Sequence, residues 1–316
     1  MFCITLESHD PYFNLAIEEI LLKNRNEDYL ILGINSPSVI IGKHQTPHRE
    51  INTRFITEQR IPVIRRITGG GTVFHDMGNL NFTFIKQSEP GKQVDFRKYT
   101  KPVIDFLASK GVEAIFEGKN DLKVEGLKIS GNAEHVHRNR ILHHGTLLFS
   151  TSLDQLRNSL RKDTSHYSSR AVESNPSSVT NINNRLPEFK DIFEFRSGMI
   201  DYFLETLSDV REYKLSEEDI IDAENLAISK YKTWEWNWAY GPEYHFNNEF
   251  EFSGEKITCR LFVREGTIRN IVLEGSSDLA KVAEKLIGRR HMVEDLIEVF
   301  KEENITLSKE ELYNFF

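Results

Sequence analysis

Twelve consecutive residues constrain this chain more than any others: Arg65-Arg66-Ile67-Thr68-Gly69-Gly70-Gly71-Thr72-Val73-Phe74-His75-Asp76. The strand-like run from Ile61 leads straight into three glycines, and glycines weaken a strand. An uninterrupted triplet therefore needs a reason, such as the close approach of a ligand or of another backbone. Without Cβ atoms, main-chain N–H groups can converge on an anion, or an extended ligand can lie flat against the chain. The two arginines add rigid cationic forks suited to carboxylate or phosphate. No Gly-Lys-Ser/Thr follows, so the segment is not a P-loop, and its spacing is not that of a dinucleotide-binding turn. A glycine-rich turn flanked by solvated arginines would use the same residues.

A second segment, Asn120-Asp121-Leu122-Lys123-Val124-Glu125-Gly126-Leu127-Lys128-Ile129-Ser130-Gly131-Asn132-Ala133, sets Lys128 between Gly126 and Gly131. An ammonium with small neighbours can approach a carbonyl or phosphate and stabilise charge that develops there. Asn120 and Asp121 are hard oxygen donors of the kind that hold Mg²⁺ beside a nucleotide phosphate. The alternative is a plain hairpin with an exposed lysine. His135, His137, His143 and His144 crowd nearby, but on strands 143 and 144 point to opposite faces and no Cys or acidic partner stands at a metal spacing. They are expected to pack and hydrogen-bond rather than hold zinc. The serines from 165 to 178 lack a nucleophile elbow, and the tryptophans at 234, 236 and 238 are expected to pack.

Composition narrows the class. The 316 residues are 39% hydrophobic with 21 Phe and 10 Tyr, enough apolar surface to fold one large and one small domain or two comparable ones. A net charge of −8 argues against a general nucleic-acid binder. No run approaches the roughly 18 apolar residues of a membrane span, and the acidic start lacks a secretory pattern. Two cysteines, Cys3 and Cys259, are too few for a disulfide framework or a Cys-rich zinc site. A cytoplasmic protein that binds neither membrane nor nucleic acid is expected.

Patterning predicts a helix from Asn14, with Asn14 as its cap, and strands at Tyr29–Ile34, 39–42, from Ile61, and from Leu80. A helix from Tyr99 to Lys110 follows, then strands over 112–116, 122–124, 127–130 and 141–149, and a helix over 153–160. Residues 163–184 read as a Ser/Asn-rich loop, and helices follow near 193–207 and 216–231. The tail offers three strands and then three helices. The class is α+β: a mixed-sheet domain with flanking helices over 1–245 and a small α+β domain over 246–316.

Taken together, the collinear segments Asn14-Leu-Ala-Ile-Glu-Glu, Arg65 to Phe82, Asn120-Asp-Leu, Lys128-Ile-Ser-Gly-Asn-Ala, His143-His-Gly-Thr-Leu-Leu, Ser174, Val179-Thr-Asn-Ile and Trp234-Glu-Trp-Asn resemble the lipoate–protein ligase family. The resemblance covers most of residues 10–240. It implies a biotin/lipoate-ligase-like catalytic domain that makes lipoyl-adenylate from lipoate and MgATP and passes the acyl group to a lysine of a lipoyl domain. The acceptor would be a 2-oxoacid dehydrogenase acyltransferase subunit or the glycine-cleavage H protein.

By position, the resemblance implies that Arg66, Thr68, Gly69, Gly70, Gly71, Ala133, His144 and Gly145 line the lipoate. It implies that Thr72, Val73, Phe74, Asn79, Lys128 and Thr146 meet the nucleotide, with Asn120 and Asp121 on Mg²⁺ and Lys128 at the reacting carbonyl and phosphate. Lys43 stands where the family usually has arginine, and Asn175-Pro176 where it commonly has an apolar and a basic residue. Cysteine-dependent transferases of the same fold need a thiol near the pocket, which Cys3 and Cys259 do not promise. Two other readings are a transferase fed with preformed lipoyl-adenylate and a non-enzymatic lipoate or adenylate sensor.

Overall fold

Apolar residues at period two and short turns set most strand boundaries. In the computed structural model, which describes residues 1–88 and 94–316, the first strands are β1 (Phe2–Thr5), β2 (Tyr29–Ile34), β3 (Ser38–Ile41), β4 (Val63–Arg65) and β5 (Val73–His75). Then come β6 (Asn79–Gln87), β7 (Ile115–Glu117), β8 (Asp121–Val124), β9 (Leu127–His137) and β10 (Arg140–Leu148). The last are β11 (Tyr167–Ser169), β12 (Arg211–Glu212), β13 (Tyr244–Phe252), β14 (Glu255–Arg264) and β15 (Thr267–Glu274). The helices are α1 (Pro11–Asn24), α2 (Pro47–Glu50), α3 (Thr53–Gln59), α4 (Phe96–Ser109) and α5 (Leu153–Ser159). They continue with α6 (Ile192–Thr206), α7 (Glu217–Leu226), α8 (Ser277–Leu286), α9 (Val293–Glu302) and α10 (Lys309–Tyr313). The class is α+β, as expected.

The chain forms two compact units, each built from three stretches. One comprises Met1–Lys43, Pro62–Arg157 and Ser174–Lys232, and the other His44–Ile61, Asn158–Glu173 and Thr233–Phe316. The tail from 246 thus lies in a unit that also takes in 44–61, 158–173 and 233–245.

The first unit holds an eight-stranded sheet in the order β12-β1-β2-β6-β10-β9-β8-β7 and a three-stranded sheet β4-β3-β5. In the large sheet β1 runs parallel to β2 and β12, and the other neighbours are antiparallel. Register sorts the side chains by face. His144 pairs across with Thr83 and Ala133, and Thr146 with Asn81; one residue away, His143 pairs with Phe84 and Glu134, and Gly145 with Phe82 and Asn132. Alternation along a strand sends these two sets to opposite faces. Phe82 and Phe84 join Leu30, Leu32, Phe106 of α4 and Phe195 and Phe203 of α6 in the main core. On the other face, Glu18 of α1 reaches Thr83 and His144. This second face carries the candidate site.

In the second unit β11-β13-β14-β15 form an antiparallel sheet. Phe246, Ile257, Cys259, Leu261 and Val263 bury against α8, α9 and Phe315. A buried histidine pair ties its three stretches together. His48 Nε2 meets the His291 carbonyl at 2.7 Å, His291 Nδ1 meets the Tyr244 hydroxyl at 2.6 Å, and Arg161 Nε donates to the His48 carbonyl at 2.8 Å. Burial holds His48 well below the usual imidazole range and His291 at about 4.

Three expectations change. The first helix begins at Pro11 and is capped by Asp10, which accepts from the Tyr12 N–H at 2.8 Å. Proline is suited to a first helical position because its missing donor would be unsatisfied there anyway. Asn14 is instead buried within α1, donating to the Ser8 carbonyl and to Asn35 Oδ1. Strand β9 runs on to His137 because β10 pairs with it along that length. The 163–184 stretch contains β11, whose partner β13 is remote in sequence. Phe203 is fully buried among Phe84, Phe106 and Tyr202, so Phe203→Ala is expected to cost about 3–5 kcal/mol, read as a lowered urea midpoint.

Candidate active site

Strand β4 delivers two arginines to the glycine segment, and both are buried. Arg65 Nη1 donates to the carbonyls of Gly42 and Lys43, each at 3.0 Å. Arg66 turns back on its own loop. Its Nη2 donates to the carbonyls of Gly69 at 2.6 Å and Gly71 at 2.7 Å, Nη1 to Ile40 at 3.0 Å, and Nε to Thr68 Oγ1 at 2.8 Å. A charged donor to several carbonyls is a strong clamp, and here it fixes the conformation of the glycine triplet. Gly70 sits at φ +85°, in the left-handed region that favours glycine. A Cβ on Gly71 would come within 3.2 Å of the Ser174 backbone, and Ser174 Oγ accepts the Thr72 N–H at 2.8 Å.

The clamp extends into α1 through Thr68. Thr68 Oγ1 lies 2.8 Å from His144 Nε2, His144 Nδ1 lies 3.0 Å from Glu18 Oε2, and Glu18 Oε1 accepts from the Thr83 hydroxyl at 2.5 Å. One assignment satisfies every group. Arg66 donates to Thr68, Thr68 donates to His144 Nε2, and His144 Nδ1–H donates to the Glu18 carboxylate. Sequence reasoning selected His144 and Thr68 but gave Glu18 no role. Glu18 belongs to the Asn14–Glu19 motif, and only the packing of α1 on the sheet reveals its partner.

A second cluster lies farther along β8 and β9. Lys128 Nζ pairs with Asp121 Oδ1 at 2.8 Å, both side chains being partly exposed. The Asn120 side chain donates to the Asn132 carbonyl at 2.6 Å, and the Asn132 side chain returns a bond to the Asn120 carbonyl at 2.9 Å. The Lys128 backbone is gripped by the later chain: its N–H donates to the Ser178 carbonyl and its carbonyl accepts from Thr180. Ser174 on the glycine loop and Ser178 on Lys128 are four residues apart, a span of at most about 14 Å of extended chain. This segment therefore bridges the two clusters. Gly131 N–H donates to Thr146 Oγ1 at 3.2 Å, and Ala133 lies against Gly70.

Thr72 precedes β5, an edge strand of the three-stranded sheet, so one side of the Val73 and Phe74 backbone has no strand partner among the described residues. The turn after it is held by Asp76, which accepts from the Gly78 and Ser152 N–H groups at 2.9 and 2.7 Å. Asn79 is buried, donates to Asn81 and leaves its Oδ1 without a protein partner among the described residues. His75 receives the Asn35 side-chain amide at Nδ1, 2.9 Å, and Asn35 is in turn held by Asn14. Burial, with nearby His144 and Arg66, pushes His75 down to about 3.

Of the remaining histidines, His135 lies on the site face, where burial with nearby Lys43 and Lys23 lowers it to about 4. His143 is buried on the core face between Phe82 and Tyr99. Among the described residues no three His, Cys, Asp or Glu side chains gather as a metal-holding group. The thiols of Cys3 and Cys259 are buried, and burial raises them to about 11, with help from Glu212, and about 12 respectively. Such thiols are poor nucleophiles.

The family model of the lipoyl protein ligase A/B catalytic domain matches residues 10–204. Lipoate-protein ligase LplJ of Bacillus subtilis is 36% identical over 92% of this chain and 91% of its own. Lipoate–protein ligase 1 of Staphylococcus aureus is 37% identical over 97% and 93%. Among solved structures, a bipartite ligase of Thermoplasma acidophilum, described with its E2 lipoyl domain, shares 27% identity with a TM-score of 0.65 over 75% of this chain and 95% of that one. A lipoate-protein ligase A bound with ATP shares 28% identity with a TM-score of 0.63 over 75% and 97%. The chain belongs to the lipoate–protein ligase family and is an enzyme of that class. No helix among the described residues is long and apolar enough to cross a membrane.

His75 supplies a pH test of the site's frame. Its folded value lies below the free imidazole value, so the folded state binds fewer protons than the unfolded chain between about pH 6.5 and 3. Its contribution is present above about pH 6.5 and is lost as pH falls, at up to about 1.4 kcal/mol per pH unit. His75→Gln is expected to make the acid slope of urea-derived stability shallower by about one proton in that window. Identical slopes would contradict the buried neutral assignment.

Proposed function

We propose that the enzyme activates lipoate with MgATP, forming lipoyl-adenylate and pyrophosphate, and then transfers the lipoyl group to a lysine of a lipoyl domain. The observation that carries this reading is the placement of the Lys128 ammonium beside the Asp121 carboxylate, on the strand whose Ala133 lies against the clamped glycine loop. Adenylation brings together two anions, and it is accelerated by a preorganised cation aimed at the charge that develops.

In this reading the Thr68–Gly71 loop, Ala133 and His144 line the acyl chain, and Gly145, whose Cβ position faces the core, contributes backbone only. Arg66 contributes by fixing the loop, since its donors are on Thr68, Ile40, Gly69 and Gly71. The β5 edge at Val73 and Phe74 suits hydrogen bonds to adenine, with Thr72 leading into it and Asn79 and Thr146 completing the nucleotide end. Asn120 and Asp121 take the Mg²⁺ of the substrate complex, and Lys128 turns to the carbonyl and phosphate oxygens.

In the transfer step the acceptor amine attacks the carbonyl of the adenylate. The C–N bond forms as the C–O bond to AMP breaks, and a proton leaves the amine. No enzyme nucleophile is needed, in accord with the buried, unreactive thiols. The acceptor is a lipoyl domain of a 2-oxoacid dehydrogenase or the glycine-cleavage H protein, and the reaction belongs in the cytoplasm. The ligase bound with ATP supports self-activation over a transferase fed with preformed adenylate.

The test is the mass of a lipoyl domain incubated with lipoate, MgATP and the purified chain. The wild type is expected to add one lipoyl group. Lys128→Ala is expected to slow modification by about 10²–10³-fold, with lipoate binding retained. Wild-type turnover in Lys128→Ala would remove that residue from the mechanism.

A further inference from the structure

Behind the site, on the core face, a second buried group reaches the same turn that carries Asp121. His143 is fully buried; its Nδ1 lies 2.8 Å from Glu134 Oε1 and its Nε2 lies 3.3 Å from Asn132 Oδ1. Asn132 is the pivot. Its backbone N–H and its side-chain amide both donate to the Asn120 carbonyl, at 3.0 and 2.9 Å, and its own carbonyl accepts from the Asn120 side chain. Because Asn132 Nδ2 is committed to that carbonyl and to Ser130 Oγ, its Oδ1 is the atom turned to His143. The facing strand leaves room for this arrangement: a Cβ on Gly145 would come within 2.1 Å of Asn132 Oδ1.

The donors can then be counted. Asn132 Oδ1 only accepts, so His143 Nε2 carries a proton. On the other side Glu134 Oε1 lies against His143 Nδ1, so the carboxyl fixes the orientation of the ring that holds Asn132.

We propose that Glu134 and His143 are positioning residues for the nucleotide end of the site, acting through Asn132 on the Asn120–Asp121 turn. That turn fixes Asp121, and Asp121 holds Lys128. The inference rests on the reading of this end as the nucleotide subsite. It differs from the glycine-loop relay on the opposite face, where His144 serves the acyl end.

The test uses full-length Glu134→Gln, Glu134→Ala and His143→Phe, each titrated by calorimetry with MgATP and separately with lipoate, well below its own melting temperature. His143→Phe keeps the ring between Phe82 and Tyr99 but loses the donor to Asn132. Glu134→Gln can donate its amide to Nδ1 and so keeps the ring's orientation. His143→Phe and Glu134→Ala are expected to weaken MgATP binding about tenfold, the worth of one well-placed hydrogen bond, with lipoate affinity unchanged. Glu134→Gln is expected to stay near wild type for both ligands.

Unchanged MgATP affinity in folded His143→Phe would overturn the proposal, as would parallel loss of both ligands, or Glu134→Gln behaving like Glu134→Ala. If the unpaired carboxylate prevents His143→Phe from folding, the His143→Phe/Glu134→Leu double variant takes its place. If the wild type binds lipoyl-adenylate but not MgATP, the adenylation reading fails, and the same comparison made on lipoyl-adenylate still decides the positioning role.

Discussion

The buried guanidinium of Arg66 organises the first unit's site. A charge taken out of water is costly unless its donors are met, and Arg66 meets them with the carbonyls of Ile40, Gly69 and Gly71 and the hydroxyl of Thr68. Three glycines in a row would otherwise be the loosest part of the chain. With their carbonyls clamped they become a fixed surface, and Thr68 passes that order to His144 and Glu18 on the sheet and on α1. Removing the guanidinium would unpair the loop carbonyls and take away the donor to Thr68, where the link to α1 begins.

The large sheet then separates two histidine-centred clusters by face. Adjacent histidines on β10 lie on opposite sides: in the proposed reading His144 faces the acyl end, and His143 is buried behind the nucleotide end. The chain from Ser174 to Thr180 ties the two ends together through Thr72 and Lys128. Precise placement of both ends on one sheet suits a reaction in which an activated acyl group must be made and then handed on without being lost to water.

Much of this was legible in the sequence, for local reasons. The glycine triplet, the small residues around Lys128 and the alternation along β6 and β10 each carry their signal within a few positions. Opposite faces for His143 and His144 follow from strand geometry alone. What could not be read depends on remote contacts. The partner of Glu18 lies 126 residues away, and β11 joins β13 only through the fold. The unit containing the tail also recruits 44–61 and 158–173, through buried contacts such as His48 with His291 that no local pattern announces. Arg66 itself was legible as a cationic fork suited to an anion, but that it is buried and faces its own loop required its hydrogen bonds.

The central claim is that the enzyme activates its own acid. It is tested most directly by pyrophosphate release from ATP, measured with the purified chain, Mg²⁺ and lipoate and without an acceptor. Release that requires lipoate and stops near one equivalent per enzyme is the expected result, because without an acceptor the adenylate stays bound. No release, while transfer from synthetic lipoyl-adenylate to a lipoyl domain proceeds, would contradict it and leave a transferase that depends on activated substrate made elsewhere.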